Sequence, residues 1–528
     1  MDKVSSSTPL DIASLRDGTA ALNELSWHTN YHDYSAISNA ITTRVLQAIL
    51  QFQKSTLPRI LGDAKAYDII TDLAFICRLG LDLNNNPTPR YSPRESPLLA
   101  FLDTGNTLNN LSRIRVWHHP PDSTIWPRIK KTAKRWITHG QAIAVAKHDD
   151  ILNRNYLLSD YLTLHPGRQV DWPANLFSWR EPSQGRTKFN DLTICLTETF
   201  NSLVSENLPV KALLLKRLKQ LGNLLIHYHL GKAGLDYTII SRSTRRRALG
   251  LRLLSGTPKH LGRLTSFLYQ QDARPVIRFA HGGERAFFVD NEWAVAELVN
   301  CDKYYTHSTG EAHAIKKRIA NREIAGSPQA NTIKFLSNGS SRHRHIYENG
   351  QKRRHGSKTR QALYVAGGYL GEALADFASR KPPDVLYLDW QVSLLKELRS
   401  LGYRITTKLH PRGIMPNRSL LEPYSDRVIT GFFDPLDHEV DFLIFDFAGS
   451  AFFDALASHH NIILADTTIR AFDKTTKPDL LKRCKIVSAS QDDRGRFRVS
   501  RDDLGNAIES TSDNTGCPPD FYKNYIAQ

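Results

Sequence analysis

Three short stretches hold the residues best suited to chemistry: His281-Gly282-Gly283, Lys408-Leu409-His410-Pro411 and Asp446-Phe447-Ala448-Gly449-Ser450. Each falls at the end of a stretch that reads as a β-strand, and ligand sites of open α/β folds lie at the carboxyl ends of strands. A neutral imidazole can take the proton of an attacking hydroxyl near physiological pH, which is the role expected of His281. Ser450 stands where a helix is expected to begin. Its hydroxyl and the unpaired first-turn N–H groups would hold a phosphate, and Gly449 would let that ligand come close. Lys408, His410 and Arg412 would add donors and positive charge from a neighbouring strand end. Together these groups would stabilise charge growing on a diphosphate leaving group. Taken singly, a strand-end histidine is a plain hydrogen-bonding residue and a His-Pro or Gly-Ser pair a plain turn. The reading therefore depends on convergence.

The elements that must bring them together alternate. "ALYVAGG" (362–368) reads as a strand, 389–402 as a helix, 403–411 as a strand, 426–431 and 441–447 as strands, 450–460 as a helix and 461–466 as a strand. Short apolar strands separated by helices imply a parallel sheet with right-handed crossovers. Upstream, 35–80 reads mostly as helix punctuated by Pro58 and Gly62, and 84–97 as loop. Residues 140–149 read as a buried strand and 209–231 as a long amphipathic helix, with "DYTIISRS" (236–243) and "RPVIRFAHGG" (274–283) as further strands. The expected fold is α/β: two Rossmann-like domains with a helical N-terminal extension. The extension spans 1–100, an acceptor domain 101–340, a basic linker or loop 341–360 and a nucleotide-donor domain 361–528.

At 528 residues the chain exceeds one ordinary core, and with 41% hydrophobic and 23% charged residues it is not a disordered chain. The balance of 70 Lys+Arg against 53 Asp+Glu gives +17, which favours an anionic partner: nucleic acid, a phosphorylated ligand or an acidic membrane surface. Much of the excess lies in 243–252 and 341–360, which read as solvated runs. Residues 337–345 lack interleaved aromatics, and no helix-turn-helix, finger or RNP pattern occurs, so nucleic-acid binding ranks below the phosphorylated-ligand reading.

Five scattered cysteines without a C-x-x-C pair argue against a disulfide framework and a zinc site, and fit a reducing cytoplasm. His227 and His229 are two apart on an expected helix and face different ways, while His118-His119 and His459-His460 are adjacent pairs, so no metal is expected. "GGYLGE" (367–372) lacks the spacing of a phosphate loop. Gly367 and Gly368 are expected to turn near the cleft. Three aspartates interrupt the most apolar stretch, 441–457, so a soluble protein is expected, in the cytoplasm or peripheral on the inner face of the membrane.

The order of "HGG", "CDKYYTHS", "VLYLDWQVSLLKEL", "TKLHP" and "DFLIFDFAGSAFFDAL" resembles bacterial GT-B glycosyltransferases of surface and capsular polysaccharide assembly, the CDP-glycerol glycerophosphotransferase-like superfamily, over residues 276–490. The resemblance implies a metal-independent enzyme without cofactor. It would move a sugar or polyol phosphate from a CDP-, CMP- or UDP-linked donor to a polysaccharide or lipid-linked acceptor. It implies that His281 is the base, that His410 contacts the donor phosphates, and that Asp446 with Gly449-Ser450 forms the phosphate-binding D-x-x-S-S segment. Two departures stand out. Gly449 replaces the first serine, removing one hydroxyl donor. Glu284 and Arg285 follow the histidine motif in place of small or apolar residues, and either serve the acceptor or pair with each other. The rival readings are a nucleotide-sugar epimerase and a non-catalytic protein gripping an anionic polymer or nucleic acid.

Overall fold

A computed structural model of the chain describes residues 7–15, 19–53, 55–86, 88–106, 108, 148–171, 190–246, 250–256, 260–289, 291–321, 332–350, 360–369, 371–372, 382–411, 420–468, 470–511 and 516–527. Helices α1 (Tyr31–Leu50) and α2 (Leu57–Asn85) open the fold. Asn30 caps α1 by accepting the His32 N–H at 2.9 Å, and Pro58 sits in the first turn of α2, where its missing N–H costs nothing. Gly62, expected as punctuation, instead lies inside α2, where its bare Cα packs on Ile49.

Helices α3 (Asn190–Asn207) and α4 (Ala212–Arg246) pack on this pair and share its core. "DYTIISRS", expected as a strand, continues α4. Its Ile240 extends the buried stripe of Leu218, Leu221, Leu225, Ile226, Leu230 and Ala233, and this helical period outweighs the strand preference of Thr238-Ile239-Ile240. The stripe also carries His229, whose Nε2 meets Asp72 of α2 at 2.7 Å, while His227 on another face is exposed.

The first sheet contains β1 (Asp149–Leu152), β2 (Gln169–Asp171), β3 (Leu253–Ser255) and β4 (Val276–Phe279); β5 (Phe288–Val289) lies outside it, and β6 (Lys303–Thr306) and β7 (Lys334–Ser337) complete it. All pairs are parallel, in the order β2-β1-β3-β4-β6-β7. The strand expected at 140–149 falls largely on residues outside the described set.

The second sheet contains β8 (Gln361–Val365), β9 (Arg404–Lys408), β10 (Arg427–Ile429), β11 (Phe442–Phe445) and β12 (Asn461–Asp466); β13 (Ala471–Phe472) lies outside it and β14 (Lys485–Ser488) closes it. Its parallel order, β10-β9-β8-β11-β12-β14, is the 3-2-1-4-5-6 winding of a Rossmann domain. Chain direction across the sheet reverses between β8 and β11, which opens a crevice beyond their carboxyl ends. Two such parallel α/β layers in one chain make the expected GT-B architecture.

Four further helices matter for the site: α5 (Thr309–Ala320), α6 (Ser341–Gly350), α7 (Asp384–Ser400) and α8 (Ser450–Ala457). The basic 341–360 stretch is expected as a solvated loop, yet residues 341–350 form α6. Asp160 of the first half accepts the Ser341 N–H (2.8 Å) and hydroxyl (2.5 Å), while Asp454 of the second half binds the Arg342 and His343 side chains that composition alone assigns to water.

The halves are joined by protein bonds as well as by sequence. β5 pairs antiparallel with β13, Asp473 donates its N–H to Phe287 O at 2.8 Å, and the Thr476 hydroxyl donates to Ala286 O at 2.8 Å. Arg318 meets Asp473 at 3.2 Å, and Phe287 stacks on Phe521 with centroids 5.7 Å apart. No helix among the described residues is long and apolar enough to cross a membrane.

Candidate active site

Asp446 follows β11 at the reversal point of the second sheet and is 2% exposed. It accepts the Gly367 N–H at 2.8 Å, the Gln391 side-chain amide at 2.7 Å and the Tyr364 hydroxyl. Burial, and then the Asp446 charge, hold the Tyr364 hydroxyl well above its ordinary pKa, which keeps it a donor. A side chain at Gly367 would overlap the Tyr387 hydroxyl, so this loop takes only glycine. Both oxygens of Asp446 are thus held by protein donors. The residue ties the loop after β8, with Gly367 and the buried Gly368, to the loop entering α8. Gln391 and Tyr364 were not foreseen; the one signal was a glutamine within the apolar run "DWQVSLL".

Gly449 is the N-cap of α8, in extended conformation with no side-chain cap, and Ser450 is exposed at its first position. Among the described residues, a Cβ at Gly449 would meet only the Phe447 ring, at 3.4 Å. The backbone therefore admits the serine that the resemblance expects. Arg470, itself buried, donates to the carbonyl of Ala448.

The glycines after His281 have a packing reason. Gly283 begins a 3-10 turn, Gly283–Ala286, and a Cβ there would overlap the ring of Phe453 on α8. Gly282 leaves room for the Glu284 carboxylate, which lies against it. His281 itself is exposed. Glu284 and Arg285 are buried and do pair, with Arg285 3.9 Å from Glu284, 3.2 Å from Glu297 and over the Trp293 ring at 5.0 Å. Glu284 also lies 4.0 Å from Arg470. The first and third motifs therefore meet, through Gly283 on Phe453 and through Glu284, Arg470 and Ala448.

The second motif contributes less than expected. The Lys408 ammonium donates to Leu409 O at 2.8 Å and Gly431 O at 2.5 Å, and burial lowers its pKa. It ties the end of β9 to the loop after β10. His410 is exposed, and Arg412 lies outside the described residues. Gly431, at φ +94°, turns that loop and leaves Phe432 85% exposed, a ring that sequence reasoning passed over in "TGFFDP".

Beneath Gly283 a buried polar cluster spans the seam. His343 Nε2 lies 2.8 Å from Asp454, Arg342 3.0 Å from the same carboxylate, and the His343 ring packs on Phe453 (4.8 Å) and His307 (5.3 Å). His307 in turn meets Glu311 at 3.2 Å. Burial lowers the His343 pKa. It would raise that of Asp454, but the His343 bond and the His343 and Arg342 charges leave Asp454 below its ordinary value.

Among the described residues no group of three or more His, Cys, Asp or Glu could hold a metal ion. No protein-family profile matches the chain, and no curated protein matches it. Solved structures similar to it include S. aureus MnaA with UDP, at 9% identity over 73% of this chain and 93% of that one, with TM-score 0.38. A Methanocaldococcus jannaschii UDP-GlcNAc 2-epimerase in complex with UDP-GlcNAc and UDP is 11% identical over 71% and 97%, with TM-score 0.38. The calicheamicin glycosyltransferase CalG4 is 10% identical over 70% and 90%, with TM-score 0.32. At scores this low the architecture rests on the strand order of the two sheets.

Proposed function

We propose that the chain is a GT-B nucleotide-sugar enzyme that transfers a sugar or polyol phosphate from a nucleotide-activated donor to a hydroxyl acceptor. The observation that carries the reading is the meeting of two strand-end motifs from different sheets: the His281 turn packs through Gly283 onto Phe453 of the helix whose N-terminus carries Ser450. In this reading the α8 amides, Ser450 and His410 bind the donor diphosphate and stabilise it as it leaves. His281, exposed at the end of the first sheet, takes the acceptor's proton. Phe432, an exposed ring beyond β10, supplies a face on which the donor's base stacks.

The experiment is thermal stability against CMP, CDP, UDP, GDP and TDP, for the wild type and for Ser450→Ala and Phe432→Ala. A ligand at about 100 times its dissociation constant adds roughly 2.7 kcal/mol to the native state. One stabilising nucleotide, with the gain reduced in both variants, supports the reading; no shift with any nucleotide removes its basis. Product analysis of the donor then separates transfer from epimerisation, which needs no acceptor.

One observation favours the non-catalytic rival: Lys408, a cation expected at the phosphates, is bound to two carbonyls. That reading predicts polymer or nucleic-acid binding with a steep salt dependence and no nucleotide binding. For an acidic membrane surface as the anionic partner, Arg342 and His343 are less available than composition suggests, because both side chains are bound to Asp454.

A further inference from the structure

A cation that the motifs did not nominate is bound to the loop leading into α8. Arg470 donates to the carbonyl of Ala448, and its guanidinium lies 4.4 Å from the Phe288 ring centroid and 5.9 Å from that of Phe447. Burial between two rings fixes the plane of the group. Across the seam, Glu284 Oε1 lies 4.0 Å away. Glu284 is 5% exposed, and its Oε2 has no hydrogen-bond partner among the described residues. The carboxylate therefore orients Arg470 by charge rather than through a tight bidentate fork.

A carbonyl oxygen carries partial negative charge and would repel a phosphate if it faced one. The Ala448 carbonyl is held instead on the buried guanidinium of Arg470. Resting on the reading above, we propose that Arg470 is the positioning residue of the donor-phosphate site, and that Glu284, from the other sheet, is its orienting partner. Arg470 keeps the Ala448 carbonyl away from the ligand, so that Ser450 and the first-turn amides of α8 present donors to the diphosphate. Its charge, buried and poorly screened, adds to their field. The turn that carries His281 is thereby tied to the loop that binds phosphate.

The test is isothermal titration with uridine, UDP, the other four nucleotides and inorganic pyrophosphate, on the wild type and on Arg470→Gln, Arg470→Lys and Glu284→Gln. A structural role would weaken nucleoside and nucleotide alike as stability falls. The positioning role predicts that the ratio of nucleotide to nucleoside affinity drops about tenfold in Arg470→Gln, with pyrophosphate binding reduced in parallel, as expected for losing a charge-assisted phosphate site. Arg470→Lys, which keeps the charge without the fork, retains part of the ratio. Glu284→Gln, nearly isosteric, lowers it about threefold and carries the test should Arg470→Gln not fold. Nucleotide binding by the wild type with an unchanged ratio in every variant that folds overturns the proposal and leaves the transferase reading standing. A wild type that binds neither nucleotide nor pyrophosphate overturns both.

Discussion

Gly283 and the Phe453 ring occupy adjoining space so closely that a methyl group on the glycine would overlap the ring. One residue belongs to the turn after β4, the other to α8, so the contact sets the spacing of the two sheets. Gly283→Ala is expected to cost about 1–3 kcal/mol as an overpacked contact. Phe453→Leu in the same chain should return part of that loss. Additive costs in chemical denaturation of the two single variants and the double variant would show that the contact does not govern the spacing.

Gly449 differs from Gly283 in having room. Among the described residues its one near neighbour is the Phe447 ring at ordinary contact distance, so Gly449→Ser should leave the melting temperature within about 1 °C, a surface-scale effect. The added hydroxyl is expected to tighten nucleotide binding about fivefold, the worth of one further hydrogen bond. Unchanged affinity in titration would remove Gly449 from the phosphate site.

Asp446 is the acceptor for three donors at the reversal point of the second sheet. Asp446→Asn puts an amide N–H₂ where those donors converge and is expected to destabilise by about 2–4 kcal/mol. Urea denaturation measures this directly. A cost under 1 kcal/mol would mean that the loops after β8 and β11 hold each other without the carboxylate.

The His343 contribution to stability has a definite pH sign. Burial, joined by the charges of His307 and Arg342, lowers its pKa below 6.5 in the fold, against the opposing pull of Asp454. Between the folded value and 6.5 the unfolded chain binds more protons, so stability is full above pH about 6.5 and is lost as pH falls through that window. Asp454, held low, stays ionised there and loses its own contribution only in stronger acid. Melting temperatures across about pH 5 to 8 should slope for the wild type and flatten for His343→Gln. Equal slopes would assign the acid sensitivity to groups other than His343.

The second sheet was largely legible because its central strands carry short apolar runs, "ALYV", "FLIF" and "IILA", bounded by turn residues, whereas the edge strand "KIVS" is too polar to stand out. The helical bundle was half legible: the α4 stripe was plain through His229, but β-branched residues beyond it masked its continuation. Motif positions at strand ends could be read because local composition fixes where a strand stops. What their side chains do could not. Whether a buried lysine meets a phosphate or two carbonyls depends on a loop that arrives from beyond the next strand, as Gly431 does for Lys408. Arg470 escaped notice for the same reason, since its partners Glu284 and Ala448 are close only after both sheets have formed.

The pairing of Phe288–Val289 with Ala471–Phe472 has a consequence for synthesis. A ribosome delivers the whole first sheet long before it delivers the partner of that two-residue strand. Until then Phe287 and Phe288 lack the rings of Phe472, Phe521 and Tyr525 that cover them in the finished protein. The nascent first half must therefore wait, with an apolar edge open to water and to other chains. Severing the gene between its two sheets would make that waiting state permanent, and neither product would inherit the surface it needs to stay dispersed.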